Sequence, residues 1–426
     1  MSPEESLARI RRYDRRLKAF VRVFDPPLLG ETSDGPTFAV KDLIDVAGIP
    51  TGGGAQVPVD PNPHVHAVVV ERLLQAGWSA VGKSHTVELA FGAWGTNLAV
   101  GAPWNPWDAQ VRRAPGGSSS GSAVAVAAGL CDAALGTDTG GSVRIPAAVC
   151  GVVGLKPGRG LVSLKGVHPL SPALDTVGAL AGDVATAARM LGVISGPDGE
   201  SADREPFDAD EALAADVRGL RLAASPPAML GDLHPEVERL YLAAIETLRE
   251  AGVTVDMVPP LRAVDESFLP NGLIMAAEGW RHWRERIAAQ RPVMDPWIVR
   301  RFEAGRGFTD RHLAEAYARR AEDQRLFHEW MAPYDGLVSP TCPIPAPPIS
   351  RVDETTSPLS RLTRTANYLD LPAITVPCGL TADGLPVGLQ FVGKPCDEAT
   401  VVALGAAYER LSGWNGRRPE LSGFEG

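Results

Sequence analysis

The stretch Pro115 to Pro157, PGGSSSGSAVAVAAGLCDAALGTDTGGSVRIPAAVCGVVGLKP, decides how the rest of the chain is read. Two glycine–serine loops sit inside it. Gly116-Gly117-Ser118-Ser119-Ser120-Gly121-Ser122 runs into the small-residue segment Ala123 to Gly129, and Thr137-Asp138-Thr139-Gly140-Gly141-Ser142 runs into Val143 to Cys150. Each reads as a loop that opens a helix, where unpaired backbone donors and the helix dipole favour negative charge. Between them Ala133-Ala134-Leu135-Gly136 is an apolar run long enough for a buried strand. One short helix and one strand therefore separate Ser118 from Ser142 and can bring the two loops together.

The same stretch resembles the amidase signature family. A Gly-Gly-Ser-Ser loop stands at 116–119, Gly-Thr-Asp-x-Gly-Gly-Ser-x-Arg at 136–144 and Gly-Leu-Lys-Pro at 154–157. Further matches are Ala39-Val40-Lys41-Asp42 upstream, Ser171 to Gly178 just after, then Leu371 to Pro377 and Gly384 to Gln390 near the end. The resemblance spans about residues 37 to 410 and implies one large α/β domain, 1–426, with a central mixed β-sheet covered by helices. Its core motifs would occupy 37–180 and 335–410, with a divergent, largely helical region at about 274–331.

Composition agrees with a globular enzyme: 426 residues, 45% hydrophobic and 22% charged. Length alone favours two or three domains, and the resemblance overrides that. A net charge of −10 argues against a nucleic-acid partner, which needs a basic face. The five cysteines form no CxxC pair and most lie among apolar neighbours, as in a reduced intracellular protein. No apolar run reaches the length of a membrane span, and the charged N-terminus carries no secretory pattern. A cytoplasmic protein without a membrane partner is the expectation; oligomeric state stays open, a homodimer included.

Along the chain, Ser2-Pro3-Glu4-Glu5 predicts a capped helix with Leu7, Ile10, Leu17 and Phe20 on one face. Phe38 to Val40 predicts a buried strand ending at Lys41-Asp42, His66 to Ala76 a helix, and Ala80-Val81 a strand. Leu220 to Ala224, Pro235 to Ala251 and Val253 to Val258 predict an α/β unit. Ile274 to Met331 reads as mostly helical, and the sheet resumes at Ala373 to Pro377 and Leu385 to Val392.

Amide hydrolysis needs a nucleophile, a base, an acid for the leaving amine and donors for the oxyanion. The resemblance implies Ser142 as nucleophile, Ser118 as a bridging serine held in a cis peptide, and Lys41 as base. A lysine at its ordinary pKa of about 10.4 is a poor base at neutral pH. At the end of an apolar strand, desolvation lowers that value and frees the amine. Ser118, which can donate and accept at once, then relays the proton between Ser142 and Lys41. Backbone N–H groups of Thr139, Gly140, Gly141 and Ser142 would form the oxyanion hole, and no metal or cofactor is required. Asp138, Arg144, Asp175 and Thr176 read as hydrogen bonders that fix the loops.

Two rival nucleophiles stand in the sequence. Ser119 sits in a formal G-x-S-x-G match, but Arg112 to Gly116 makes a poor preceding strand. Cys150 has no histidine near it in sequence. For the pocket, the resemblance implies that Phe91, Gly92 and Trp94 border the cleft. Trp280 and Trp283, three apart on one helical face, together with Met275, suggest an aromatic wall. The expected substrate is a small-molecule amide with a hydrophobic or aryl group, esters and carbamates presenting the same carbonyl. The alternative is an amidotransferase-type subunit that releases ammonia inside a multi-subunit complex.

Overall fold

The computed structural model describes residues 1–32, 35–414 and 417–425. Strands β1 (Phe20–Leu28), β2 (Thr37–Lys41), β3 (Ser79–Ser84), β4 (Ala133–Asp138), β5 (Val153–Lys156), β6 (Thr176–Ala181), β7 (Arg221–Ala224), β8 (Thr254–Met257), β9 (Gly336–Pro340), β10 (Ala373–Leu380) and β11 (Pro386–Gly393) form one sheet among the described residues. Its order is β1-β3-β2-β4-β6-β5-β10-β11-β9-β7-β8. β2 runs parallel to β3 and β4, and β7 parallel to β8 and β9, while the remaining pairs are antiparallel. The sheet is mixed, as expected.

The helices are α1 (Pro3–Leu17), α2 (Val68–Gln75), α3 (Ser120–Ala127), α4 (Arg144–Cys150), α5 (Val184–Ile194), α6 (Ala209–Ala214), α7 (Pro235–Glu250), α8 (Arg262–Asp265), α9 (Phe268–Gln290), α10 (Pro296–Glu303), α11 (Asp310–Met331), α12 (Arg364–Tyr368) and α13 (Glu398–Ser412). They cover both faces of the sheet, so central strands such as β2 and β4 are buried throughout, with the apolar runs Phe38 to Val40 and Ala133 to Gly136 inside them. One core cluster joins Phe38 and Val40 to α2, α5 and α13. The opposite cluster joins Ala39 to α1, α3 and α4. A third holds α9, α10 and α11 together over the end of the sheet.

This alternation positions the chemistry. Successive strand residues point to opposite faces, so Lys41 shares the face of Ala39, the side where α3 and α4 begin. Helices α3 and α4 are buried all round, which explains their small, uncharged sequences apart from Arg144. Helix α4 ends at Gly151 in the left-handed conformation (φ 68°), a geometry that a side chain disfavours.

The capping box of Ser2 and Glu5 is present, with Pro3 at the first helical position. Phe20, expected on that helix, instead opens β1. Lys18 turns left-handed (φ 54°), and the Asp14 carboxylate accepts from the N–H groups of Ala19 and Phe20, which stops the helix. Among the cysteines, Cys131, Cys150 and Cys342 are buried and Cys378 half-buried, whereas Cys396 lies at the surface.

Candidate active site

The carboxyl ends of parallel strands β2 and β4 bring Lys41 beside Thr137. Lys41 is completely buried, and its Nζ lies 2.8 Å from Ser118 Oγ, 2.7 Å from Thr137 Oγ1 and 3.4 Å from the Thr137 carbonyl oxygen. A neutral amine has two hydrogens and one lone pair. The two Thr137 oxygens can take the hydrogens, which leaves the lone pair for the hydroxyl hydrogen of Ser118. Burial lowers the Lys41 pKa to about 7, against the opposing pull of Asp138 and Asp175.

Ser118 is itself buried, and the Gly117–Ser118 peptide is cis. The Ser118 carbonyl accepts from the Val87 N–H and the Thr86 hydroxyl, so the residue is held from both sides. The two glycine–serine loops touch directly, because the Ser119 N–H donates to the Ser142 carbonyl at 3.2 Å. Ser142 is 8% exposed and lines a cavity of about 910 Å³. Of the three residues, only Ser142 faces that cavity.

Asp138 organises the second loop. Its carboxylate accepts from the Gly141 N–H (2.7 Å), the Val143 N–H (3.1 Å) and, in a fork, from Arg144 Nε and Nη2 (both 3.1 Å). Asn367 donates to it at 2.9 Å and ties it to α12. Burial would raise the Asp138 pKa, but the Arg144 guanidinium prevails and holds it far below the usual carboxylate range. Asp175 fixes the other side: it accepts from the Thr139 hydroxyl at 2.5 Å and from the N–H groups of Leu170 and Ser171. Burial raises its pKa to about 6 despite those bonds. Thr363 Oγ1 donates to the Gly140 carbonyl at 2.7 Å, clamping the loop from above.

This wiring corrects the expected oxyanion hole. Gly141 (φ +124°) gives its N–H to Asp138 and does not line the cavity. The N–H groups of Thr139, Gly140 and Ser142 have no acceptor among the described residues, and all three residues line the cavity.

The pocket also differs from expectation. Phe91 and Gly92 line it, joined by Ile145, Phe268, Met275 and Trp297. Trp94 does not. Buried behind the wall, it donates its indole N–H to the carbonyls of Asp353 and Thr356, pinning the segment whose Glu354, Thr355 and Ser357 face the cavity. Trp280 is also absent from the wall. It packs half-buried against the cluster of α9 to α11, and Trp283 donates to the Pro169 carbonyl. The aromatic face of α9 is therefore core, while its neighbours Phe268, Gly272 and Met275 face the cavity.

The rival nucleophiles are sequestered. Ser119 is buried, and its hydroxyl donates to the Thr137 carbonyl at 3.3 Å. Cys150 gives its thiol to the Pro115 carbonyl, and burial pushes its pKa strongly upward. Metal-ligand spacing appears at Asp45, Asp60 and His168, which lie outside the cavity.

Thr137 is the residue that motif reading passed over. It stands inside Gly-Thr-Asp, and the pairing of β2 with β4 would have placed it against Lys41. The isosteric Thr137→Val leaves one Lys41 hydrogen without its 2.7 Å partner. It is expected to lower kcat/KM by about 10- to 100-fold with the fold retained; an unchanged rate would remove Thr137 from the lysine's support.

The family model for amidases matches residues 2–402. The chain belongs to the amidase signature family. Among curated relatives of this family member, a glutamyl-tRNA(Gln) amidotransferase subunit of Chloroflexus aggregans is 37% identical over 454 residues, covering 99% of this chain and 90% of the relative. The crystal structure of the corresponding glutamyl-tRNA(Gln) amidotransferase subunit from Thermotoga maritima superposes with a TM-score of 0.87 at 31% identity, over 99% of this chain and 94% of that one. Peptide amidase from Stenotrophomonas maltophilia superposes with a TM-score of 0.83 at 28% identity, over 99% and 94%. The fold of this amidase signature protein is thus common to amidotransferase subunits and to hydrolases.

Proposed function

We propose that the protein hydrolyses a C–N amide bond through an acyl-enzyme on Ser142, with Ser118 and Lys41 as its proton relay. The observation that carries this reading is the buried Lys41 Nζ, 2.8 Å from Ser118 Oγ, behind a serine that opens on a large cavity. In this reading Ser142 Oγ attacks the carbonyl carbon and gives its proton to Ser118, which passes its own to Lys41. The N–H groups of Thr139, Gly140 and Ser142 receive the oxyanion. Each such donor contributes about 2.7–4 kcal/mol of transition-state stabilisation in comparable sites. Collapse of the tetrahedral adduct breaks the C–N bond while the proton returns to the leaving amine. Water then enters, loses its proton by the same route and releases the acid.

The curated relatives favour one setting for this chemistry, the ammonia-releasing subunit of an amidotransferase, over a free-standing amidase. The aryl-amide expectation loses support with Trp94 and Trp280 behind the wall, although Phe91, Phe268 and Trp297 keep part of the cavity apolar. Two measurements test these readings. With an amide panel that includes glutamine, acetamide and an aryl amide, the purified chain should release ammonia, and added hydroxylamine should divert product to the hydroxamate, as an acyl-enzyme requires. Co-purification with other subunits, and turnover only in their presence, would establish the multi-subunit setting; full turnover by the chain alone would exclude a need for partners.

The pH profile follows from Lys41. Burial lowers its pKa to about 7, and only the uncharged amine can accept a proton. The expected kcat/KM rises with pH through about 7 and reaches a plateau above it. A rate that falls across that interval would contradict a lysine base.

A further inference from the structure

The reading as an amide hydrolase leaves the substrate undefined, but the charges on the cavity wall narrow it. Arg300, Arg301, Arg361 and Arg364 line the cavity against two carboxylates, Asp265 and Glu354. Arg301 is occupied: it pairs with Glu354 at 2.6 Å and donates to the Phe91 carbonyl. Arg300 lies over the ring of Trp297, and Arg361 is exposed. Arg364 is different, since it is half-buried at the inner wall and makes no ion pair among the described residues.

Its guanidinium is nevertheless fixed. Nε donates to Ser360 Oγ at 3.2 Å, Nη1 to the Phe268 carbonyl at 2.9 Å, and the group lies 3.8 Å from the Phe268 ring centroid. Five N–H donors are available on a guanidinium, so most remain free. The side chain runs beside the catalytic loop: its Cγ is 3.5 Å from the point where a Cβ on Gly140 would stand. On the other side, a Cβ on Gly272 would stand 2.7 Å from Nη1, so a larger residue there would push the fork aside. A guanidinium held in place, desolvated, uncompensated and beside the oxyanion loop is built to meet an anion, and its planar donors match a carboxylate.

We propose that Arg364 anchors a carboxylate of the substrate, so that the preferred amide is one whose acyl chain ends in a carboxylate. This rests on the reading of the cavity as the site of amide hydrolysis. Burial and the neighbouring charge of Arg301 lower the Arg364 pKa only to about 10, so the group stays cationic throughout the working pH range.

The test compares glutaramate with its neutral isostere 5-methylhexanamide, in which an isopropyl group replaces the carboxylate. Binding is measured by calorimetry on the full chain carrying Ser142→Ala, so that no turnover intervenes. Glutaramate should bind about 10- to 100-fold tighter than the isostere, and Arg364→Gln should abolish that ratio. A merely structural arginine would weaken both ligands alike and leave the ratio standing. Gly272→Ala, which keeps the charge but crowds the fork, should reduce the ratio in between, and it serves if Arg364→Gln does not fold. Equal binding of the two amides, or a ratio unmoved by both substitutions, overturns the anchor. Selective binding that depends on Arg364, with neither amide cleaved by the wild type, would uphold the anchor while refuting the hydrolase reading.

Discussion

Ser142→Ala is expected to lower kcat/KM for amide hydrolysis by roughly 10⁴-fold or more, with the fold intact. The side chain faces the cavity and no hydrogen bond of the described structure ends on its hydroxyl, so the loss falls on chemistry alone. Ser118→Ala should cost about as much, because it removes the hydroxyl 2.8 Å from Lys41 Nζ that carries the proton between Ser142 and the amine in the proposed relay. Combining the two should add little, since residues acting as one relay are not additive. Lys41→Met is the most informative variant. Methionine fills nearly the same volume without an ammonium to desolvate, so activity should vanish while Tm stays level or rises. A burial that lowers the Lys41 pKa to about 7 works against the charged folded state, and relieving such a conflict trades function for stability. A Lys41→Met protein that kept its activity, with folding verified by circular dichroism, would refute the proposed base.

Arg144→Met is expected to destabilise the protein by about 3–5 kcal/mol, because it strands the Asp138 carboxylate without its cation in the fully buried interior. Arg144 also reaches Gln390 on β11 (3.1 Å) and Asn367 on α12 (2.7 Å). Its loss therefore loosens the Asp138–Ser142 loop from β11 and α12. Asp138→Asn should cost somewhat less, since the amide retains one acceptor, and the double variant should cost less than the two added together. Thermal unfolding of the variants measures this; a Tm within a degree of wild type for Arg144→Met would show that the fork carries no stability. The pair also bears on function. Asp138 holds the Gly141 and Val143 N–H groups, and without it the neighbouring N–H groups of Thr139, Gly140 and Ser142 lose their fixed direction.

Much of this protein was legible in its chain, and the parts that were share a physical character. Helices α3 and α4 announce themselves by glycine–serine loops followed by small apolar residues, and β2 and β4 by short apolar runs. Lys41, Ser118 and Ser142 were found as members of local motifs, each readable within a few residues. The α/β unit of β7, α7 and β8 follows from periodicity alone. Strands β5, β6 and β9 did not stand out. β5 overlaps Gly-Leu-Lys-Pro, β6 begins at Thr176 within the Ser171–Gly178 match, and β9 runs into the proline-rich segment after Ser339, so motif residues and prolines mask their short apolar patterns. Edge strand β1 holds Asp25-Pro26-Pro27, a composition permitted where no second neighbour needs its N–H groups.

What only the tertiary structure decided is direction and partnership. Sequence pairs Trp280 with Trp283 on one face of α9, but whether that face meets a cavity or a core depends on where α10 and α11 pack. They pack against it, leaving Phe268, Gly272 and Met275 to form the wall. The sequence offers Gly141 as an oxyanion donor. Only the fold turns its N–H onto Asp138, because Arg144 from the start of α4 forks onto that carboxylate, Asn367 of the distant α12 donates to it, and Gln390 of β11 accepts from Arg144 and holds the fork in place. Thr137 becomes the partner of Lys41 only through the parallel pairing of β2 with β4. Local motifs fix which chemistry is available, since bond-forming groups and glycine loops are encoded within a few residues. The choice of which donors stay free and which side chains line the cavity depends on contacts between segments hundreds of residues apart, and no local pattern carries that information.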